Sequence, residues 1–414
     1  MAGDDEADPD HPVLGARPDG LSRNVLVVSL VSFFQDTASE ILYPVLPFFV
    51  TGVLGAPPAV LGLIEGLADG TASAMKAVSG RLADLRHRRP LVAAGYTASA
   101  FGKLLLALAG AWPMVLVSRV TDRVGKGLRG PPRDAIIADE TTPANRGRAF
   151  GFHRAADTAG AVVGPLLGLG LYELVGHRFR PLLWIAIIPA VVSVAFVFAI
   201  REHPHPRPTS SRPWSTRGLP PRYWRLIGLV GAFGLVNFPD TLLLLRAKDL
   251  GLGFAGVVLV YVLYNLTYAL LSYPAGVVSD RWNRRVVFAV GLGVFAAAYL
   301  GFGLTSTSGW VWLLLPVYGA YTALTDGVSR AWVADLVPAE VRGTALGIHA
   351  AVSGLGLLVA GVWAGLAWHG TGHIPFVISG IVVAVLAVVL LLGGSWFDGP
   401  EPRPAEGANR ARPG

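Results

Sequence analysis

Long apolar runs alternate with short charged gaps along most of the chain. An α-helix rises 1.5 Å per residue, so about 20 apolar residues cross a hydrocarbon core ~30 Å thick. Twelve segments fit: 24–50, 58–80, 90–110, 112–132, 150–173, 180–200, 223–245, 254–278, 286–306, 310–330, 344–368 and 373–394. The fourth and fifth are the least apolar. No gap between segments is long enough to hold a soluble domain. The pattern predicts an all-α membrane protein of twelve transmembrane helices, with the lipid bilayer as its first partner.

Composition sharpens this. Of 414 residues, 53% are hydrophobic and only 15% are charged, against about 25% charged in a soluble domain. Cysteine is absent, which excludes disulfides and thiolate metal sites; no metal or other cofactor is expected. Residues 1–23 are acidic, lack the ordered regions of a cleaved signal peptide, and read as a disordered tail. Residues 395–414 read the same way. The net charge of +7 and pI of about 9.8 would suit a nucleic-acid binder. The basic residues, however, sit in gaps between apolar runs. The most basic stretch, SRVTDRVGKGLRGPPR at 118–133, has no aromatic residue to stack on bases and no phosphate-binding P-loop. Nucleic acid is therefore not expected as a partner.

Lys and Arg concentrate in the gaps after segments two, four, six, eight and ten, and are absent after one, three, nine and eleven. Arg178, Arg180, Arg246 and Lys248 are the exceptions. The positive-inside rule then puts both termini in the cytoplasm.

The chain repeats itself. GRLADLRHRR begins at Gly80 and GVVSDRWNRR at Gly276; ADETTPANRGRAFGFH begins at Ala138 and ADLVPAEVRGTALGIH at Ala334. Both pairs are offset by 196 residues. Gly80, Asp84, Arg88, Arg89, Asp139, Arg146 and His153 thus correspond to Gly276, Asp280, Arg284, Arg285, Asp335, Arg342 and His349. This predicts two pseudo-symmetric six-helix halves, 24–200 and 223–394, joined by a cytoplasmic linker at 201–222. Parallel halves of this kind suit rocking about a central site.

The Gly-x-x-x-Asp-x-x-x-Arg-Arg pattern after segments two and eight, Arg119 followed by DRVG, and GAVVGPLLG at 160–168 resemble signatures of the major facilitator superfamily over residues 24–394. FFQDTASEILYP, LIEGLADG and DRVGKGLRGPPRDA resemble one bacterial subgroup of it. The resemblance implies the major facilitator fold in a bacterial inner membrane, alternating access, and a cytoplasmic loop that controls the inward-closed state. It also implies that Gly160, Gly164, Pro165 and Gly168 form the helix-five motif associated with proton-coupled exporters. Two departures are His87 and Asn283, where the family has Gly before the paired basics; a third is Leu169, where it has a second closing Gly.

The residues support a physical reading beside that one. Asp84 can cap a helix N-terminus, where orphan N–H groups and the dipole favour an anion. The arginines near it can pair with Asp139, and Asp280 and Asp335 can do likewise in the second half. These contacts form a candidate cytoplasmic gate. Ionisable groups inside the membrane face a cavity or a partner. Asp36 and Glu40, and Glu65 and Asp69, are four apart on one helix face each; they are the proton-coupling candidates, with Asp36 first. Its own helix offers it no basic residue within one turn. Lys103, Arg119, Asp122, Arg123, Lys126, Arg154, Asp157, Asn237 and Asp240 form a candidate central polar network and substrate site. Asp122 and Asp157 are expected to pair with Arg119 or Arg154.

The leading function is secondary active transport of a small solute by proton-coupled efflux, an antiport. The alternative is proton-coupled uptake of a small solute, anions included. A transport-dead membrane sensor or scaffold is the alternative of another class. A membrane enzyme is disfavoured, because no nucleophile or metal set clusters near an interface. A monomer is expected.

Overall fold

The computed structural model describes residues 21–85, 87–141, 146–201, 219–338 and 341–397. Of the predicted tails, 1–23 and 395–414, residues 1–20 and 398–414 lie outside them, as do most of the predicted linker and the side chains of Asp84, Arg146 and Asp280; Arg23 and residues 395–397 are helical instead.

The described chain is helical throughout. The helices are α1 Arg23–Leu42, α2 Pro58–Leu85, α3 Arg88–Leu108, α4 Trp112–Asp139, α5 Arg146–Leu174, α6 Phe179–Ile185, α7 Ile187–Val197, α8 Pro221–Gly234, α9 Asp240–Asp249, α10 Phe254–Arg281, α11 Arg284–Leu304, α12 Val311–Leu336, α13 Arg342–Leu366 and α14 His373–Leu392. A π-helical turn, Phe48–Val53, extends α1 beyond Tyr43. Ser22 opens α1 by accepting from the Val25 N–H at 3.2 Å, and Asn283 opens α11 by accepting from Arg285 N–H at 2.9 Å. Such side chains satisfy donors that a helix start leaves without partners. The internal repeat governs helix starts as well as loops. α2 and α10 begin at 58 and 254, α3 and α11 at 88 and 284, and α5 and α13 at 146 and 342.

Among the described residues, eight stretches are long and apolar enough to cross a membrane, including Arg23–Val53, Phe179–Val197 and His373–Leu392. The sequence pattern predicts twelve. The difference falls on α2, α4, α8 with α9, and α12. These carry Glu65 and Asp69, the cations of α4, Asp240, and Asp326, respectively. In α2, α4 and α12 polar groups lower the hydropathy, whereas the seventh predicted span is broken into α8 and α9, each too short to cross a membrane alone. Elsewhere apolar side chains face outward, including Ile188, Val385, Leu392 and several tryptophans. An apolar outer surface of this extent suits lipid.

The chain forms two compact units. The first comprises residues up to Val45 and Ala74–Ser210. In it α3 packs along α4, and α1 packs along both α5 and α7. A core of Val25, Val28, Val31, Val92, Tyr96, Ile137 and Val197 fills its α1–α3–α7 side. α5 approaches α1 closely through the helix-five glycines. A Cβ on Gly160 would lie 2.9 Å from the Phe33 carbonyl, and one on Gly164 2.8 Å from that of Thr37. Those distances leave no space for a side chain, which is why small residues stand there.

The second unit comprises Leu46–Ser73 and Ser211 onward. α11 packs on α12 and α14, α10 on α12, and α8 on α13. The first part of α2 belongs here, on α13. A Cβ on Gly66 would come within 2.7 Å of Leu358 Cα, and one on Gly361 within 3.1 Å of the Gly62 carbonyl carbon. Phe238, Tyr299, Phe302 and Phe376 form an aromatic core in this unit. Residues 235–239 separate α8 from α9, with Pro239 directly before the first turn of α9.

Candidate functional site

The residues predicted as one central network fall into two groups, one in each unit. Lys103, Arg119, Asp122, Arg123, Lys126, Arg154 and Asp157 belong to the first, Asn237 and Asp240 to the second.

In the first unit Asp122 is the anchor. Lys103 Nζ donates to its Oδ1 at 3.0 Å, and Arg119 lies 3.8 Å from Oδ2. Both Lys103 and Asp122 are almost fully buried. The expected Arg119 partnership is therefore present, with Lys103 closer. Arg129 donates to Ser99 Oγ at 2.5 Å, and its guanidinium sits 4.7 Å from the Tyr96 ring centre. Arg133 donates to Ser32 Oγ at 3.1 Å. Asp157 faces His153 at 3.6 Å. Arg154, expected in the interior, is exposed on α5, because the residues α5 turns toward α1 are Gly160 and Gly164 and Arg154 lies off that face. Asp36 is not isolated. Lys126, Arg129 and Arg133 all act on it electrostatically, with Asp157 as a like charge. Its own helix carries none of these groups, so one-helix spacing could not reveal them.

The repeated gate residues do meet, once in each unit. Arg88 forms an ion pair with Asp139, and Arg284 Nε lies 3.0 Å from Asp335 Oδ2. The next arginine ties down a helix end in both units. Arg89 donates to the Phe198 carbonyl at 2.8 Å, and Arg285 to the Leu390 and Leu391 carbonyls at 2.7 and 2.8 Å. Asp335→Asn is expected to change stability by less than about 1 kcal/mol, since its partly exposed pair is screened by water. It should slow solute exchange by a purified, reconstituted protein. Parent-rate exchange with unaltered conformational populations in cysteine crosslinking would refute a gating role for the pair.

The second unit holds a cavity of about 270 Å³. Asp240, in the first turn of α9, projects into it between two tyrosines. Tyr318 OH donates to Oδ1 at 2.7 Å and Tyr264 OH to Oδ2 at 3.0 Å. Asn237 Nδ2 donates to Tyr321 OH at 3.3 Å. Tyr264 and Tyr318 stack with ring centres 5.5 Å apart, and Tyr318 lies 5.1 Å from Tyr321. Asp326 and His349 line the same cavity. Asp326 accepts from Tyr268 OH at 3.1 Å and pairs with Arg330 at 2.5 Å. Glu65 and Asp69, from the α2 stretch of this unit, are the charges acting on Asp240, and both are like-signed. Glu65 is fully buried. The tyrosines and His349 were not foreseen as site residues. A signal for them exists in α12, where Tyr318, Tyr321, Thr322, Thr325 and Ser329 recur at helical spacing along one stripe of an otherwise apolar helix.

Among the described residues no group of three or more His, Asp or Glu is placed to hold a metal.

The family model of the Major Facilitator Superfamily matches residues 28–260 and again 226–414. The chain belongs to the Major Facilitator Superfamily. It is a multi-pass membrane carrier, not an enzyme, and it moves a small solute by secondary, alternating-access transport. An uncharacterised MFS-type transporter of Methanocaldococcus jannaschii is 33% identical over 90% of this chain and 95% of its own. The multidrug resistance protein MdtH of Photorhabdus laumondii is 24% identical over 87% of this chain and 89% of its own. Among solved structures, the nucleoside transporter NupG shares the fold with a TM-score of 0.77 at 15% identity, over 90% of this chain and all of its own. In this superfamily member, Asp240 and Asp326 lie on segments that fail the simple apolar test, and Tyr264 and His349 on segments that pass it.

Proposed function

We propose that this carrier is a proton-coupled transporter of the bacterial inner membrane that takes up a small solute. It works as a monomer of twelve spans in two six-helix halves, with both termini in the cytoplasm. The observation that carries the coupling is Asp240, held by two tyrosine hydroxyls and acted on by Glu65 and Asp69. Carrying several carboxylate charges through a closed, desolvated state is costly. Neutralisation by a proton together with the solute couples the two in one direction. Asp36 is the second coupling candidate, with Lys126, Arg129 and Arg133 and the like charge of Asp157 acting on it. Glu40 shares its helix and its unit.

Efflux by antiport is the second reading. The helix-five glycines favour it as a motif, although their packing on α1 accounts for them in a carrier of either direction. The name of the MdtH relative favours it too.

The deciding experiment loads proteoliposomes with a trapped pH dye and supplies a metabolite mixture read by mass spectrometry. An inward proton gradient should accumulate at least one solute while protons enter. Glu65→Gln should abolish that accumulation and keep gradient-free exchange, whereas Asp36→Asn should keep both. Accumulation that survives collapse of the gradient would remove proton coupling. Solute movement only outward against the proton flow would establish efflux instead. Loss of coupling in Asp36→Asn with a normal Glu65→Gln would return the site to the first unit.

A further inference from the structure

The carrier reading leaves the solute unnamed, and the inference below rests on it. We propose that the cavity of the second unit is a binding site for a compact primary ammonium with an aromatic or apolar body.

Charge comes first. The cavity lining includes Asp240 and Asp326 and no Lys or Arg. Asp326 already has Arg330 at its more exposed end. Asp240 is met by hydroxyl donors and by like charges. A carboxylate oxygen has more than one lone-pair site, so each oxygen can still accept a bond after receiving one from a tyrosine.

The neutral lining has the matching character. Tyr264, Tyr318 and Tyr321 are each more than nine-tenths buried and line the cavity with Asp240, Tyr264 and Tyr318 stacked on one another. Aromatic faces attract cations through their quadrupole, most strongly where water is excluded. Two further polar atoms have no hydrogen-bond partner among the described residues, Asn237 Oδ1 and His349 Nε2. His349 is 8% exposed and lines this cavity. Buried polar atoms ordinarily have partners. Asn237 Oδ1 is an acceptor, and neutral His349 can present one. An ammonium group is donor-only with three N–H bonds, so it complements Asp240 and Asn237 together. An anionic solute would meet the Asp240 carboxylate here, with no Lys or Arg among the described lining residues to offset it. Phe233, Val230 and Leu357 complete the wall and suit an apolar body. The volume of about 270 Å³ admits a small aromatic amine.

The test measures binding to the full chain in lipid nanodiscs by isothermal calorimetry, without any ion gradient. The probes are butylamine and phenethylamine, each with its alcohol and carboxylate counterpart (butanol and butyrate, 2-phenylethanol and phenylacetate). Phenethylamine is expected to bind at least tenfold more tightly than 2-phenylethanol, and phenylacetate more weakly than either. Butylamine should bind more weakly than phenethylamine, since it lacks the ring. Asp240→Asn should remove the tenfold preference for amine over alcohol. Should that variant aggregate on size exclusion, Tyr264→Phe and Tyr318→Phe serve in its place. Each leaves the charge intact, removes one orienting hydroxyl, and should weaken amine binding severalfold.

Equal binding of amine and alcohol overturns the proposal, as does preference for the carboxylate, or failure of both amines to bind. An amine preference that persists in Asp240→Asn overturns the assignment of the site. The two readings fail separately. A protein that binds amines yet shows no proton-linked flux refutes the coupling and leaves this site standing. One that couples protons to another solute and ignores amines refutes this site alone.

Discussion

Asp122→Ala is expected to yield little folded protein. The substitution leaves Lys103, buried to 3% exposure, beside Arg119 with no carboxylate between them. Removing one partner of a buried ion pair costs about 3–5 kcal/mol, because the remaining charge is desolvated without compensation. That is a large share of the 5–15 kcal/mol that holds a typical domain together. The loss should appear as a lower thermal midpoint in detergent and as a reduced monodisperse fraction. Lys103→Met combined with Asp122→Leu should recover part of it, since apolar groups of similar volume need no pairing. The recovery stays partial because Arg119 also loses its neighbour. A single Asp122→Ala variant as stable as the parent would show that the pair contributes nothing and that Lys103 finds water or another acid.

Arg246→Ala should destabilise the second unit by a comparable amount. Arg246 is 2% exposed. Its Nε and Nη2 donate to the Phe302 carbonyl at 3.0 and 2.9 Å, Nη2 also to that of Thr305 at 2.8 Å, and Nη1 to that of Thr371 at 2.7 Å. Phe302 and Thr305 lie at the C-terminal end of α11, where carbonyls lack helical partners and the dipole favours a cation. One guanidinium thus closes α11 and ties it to the turn before α14. Hydrogen bonds from a charged donor are worth about 1.5–3 kcal/mol each, and leaving several buried carbonyls unpaired adds to the cost. The sum is discounted because the unfolded chain also finds partners in a membrane, so about 3–5 kcal/mol is expected. Arg246→Lys should recover less than half, since a point-like ammonium cannot span three carbonyls as a planar fork does. Thermal unfolding followed by tryptophan fluorescence checks both variants. Equal midpoints for parent, Ala and Lys would show that the carbonyls are satisfied without the side chain.

Arg246 also shows how reading by charge count misleads. In the sequence it dissents from the positive-inside pattern, together with Lys248, Arg178 and Arg180. Three of the four bond backbone carbonyls: Arg246 as above, Arg178 to Val175 at 3.1 Å and Arg180 to Ala109 at 3.2 Å. Lys248 donates to Thr51 Oγ1 at 2.8 Å. Helix ends need donors on either side of a membrane, and a cation supplying them carries no topological message.

Periodicity and spacing alone determined much of this protein. Apolar runs of about 20 residues place it in a membrane as helices, because that length spans the hydrocarbon core and a helix pairs its own backbone groups there. A constant 196-residue offset predicts which arginine repeats which, and Arg88–Asp139 and Arg284–Asp335 pair in step with it. The Gly160–Gly164 spacing predicts close helix packing, since only a missing Cβ allows it. What the sequence could not decide is which charges from different helices meet. Spacing along one helix left Asp36 without a cation, yet α4 brings Lys126, Arg129 and Arg133 to act on it. The same limit hid the surroundings of Asp240, which the sequence already offered as a site residue: Tyr264 from α10, Tyr318 from α12 and two acids from α2. Electrostatic surroundings are a sum over neighbours in space. Residues dozens to hundreds of positions apart contribute to it as strongly as those one turn away, and only the packing of the helices selects them.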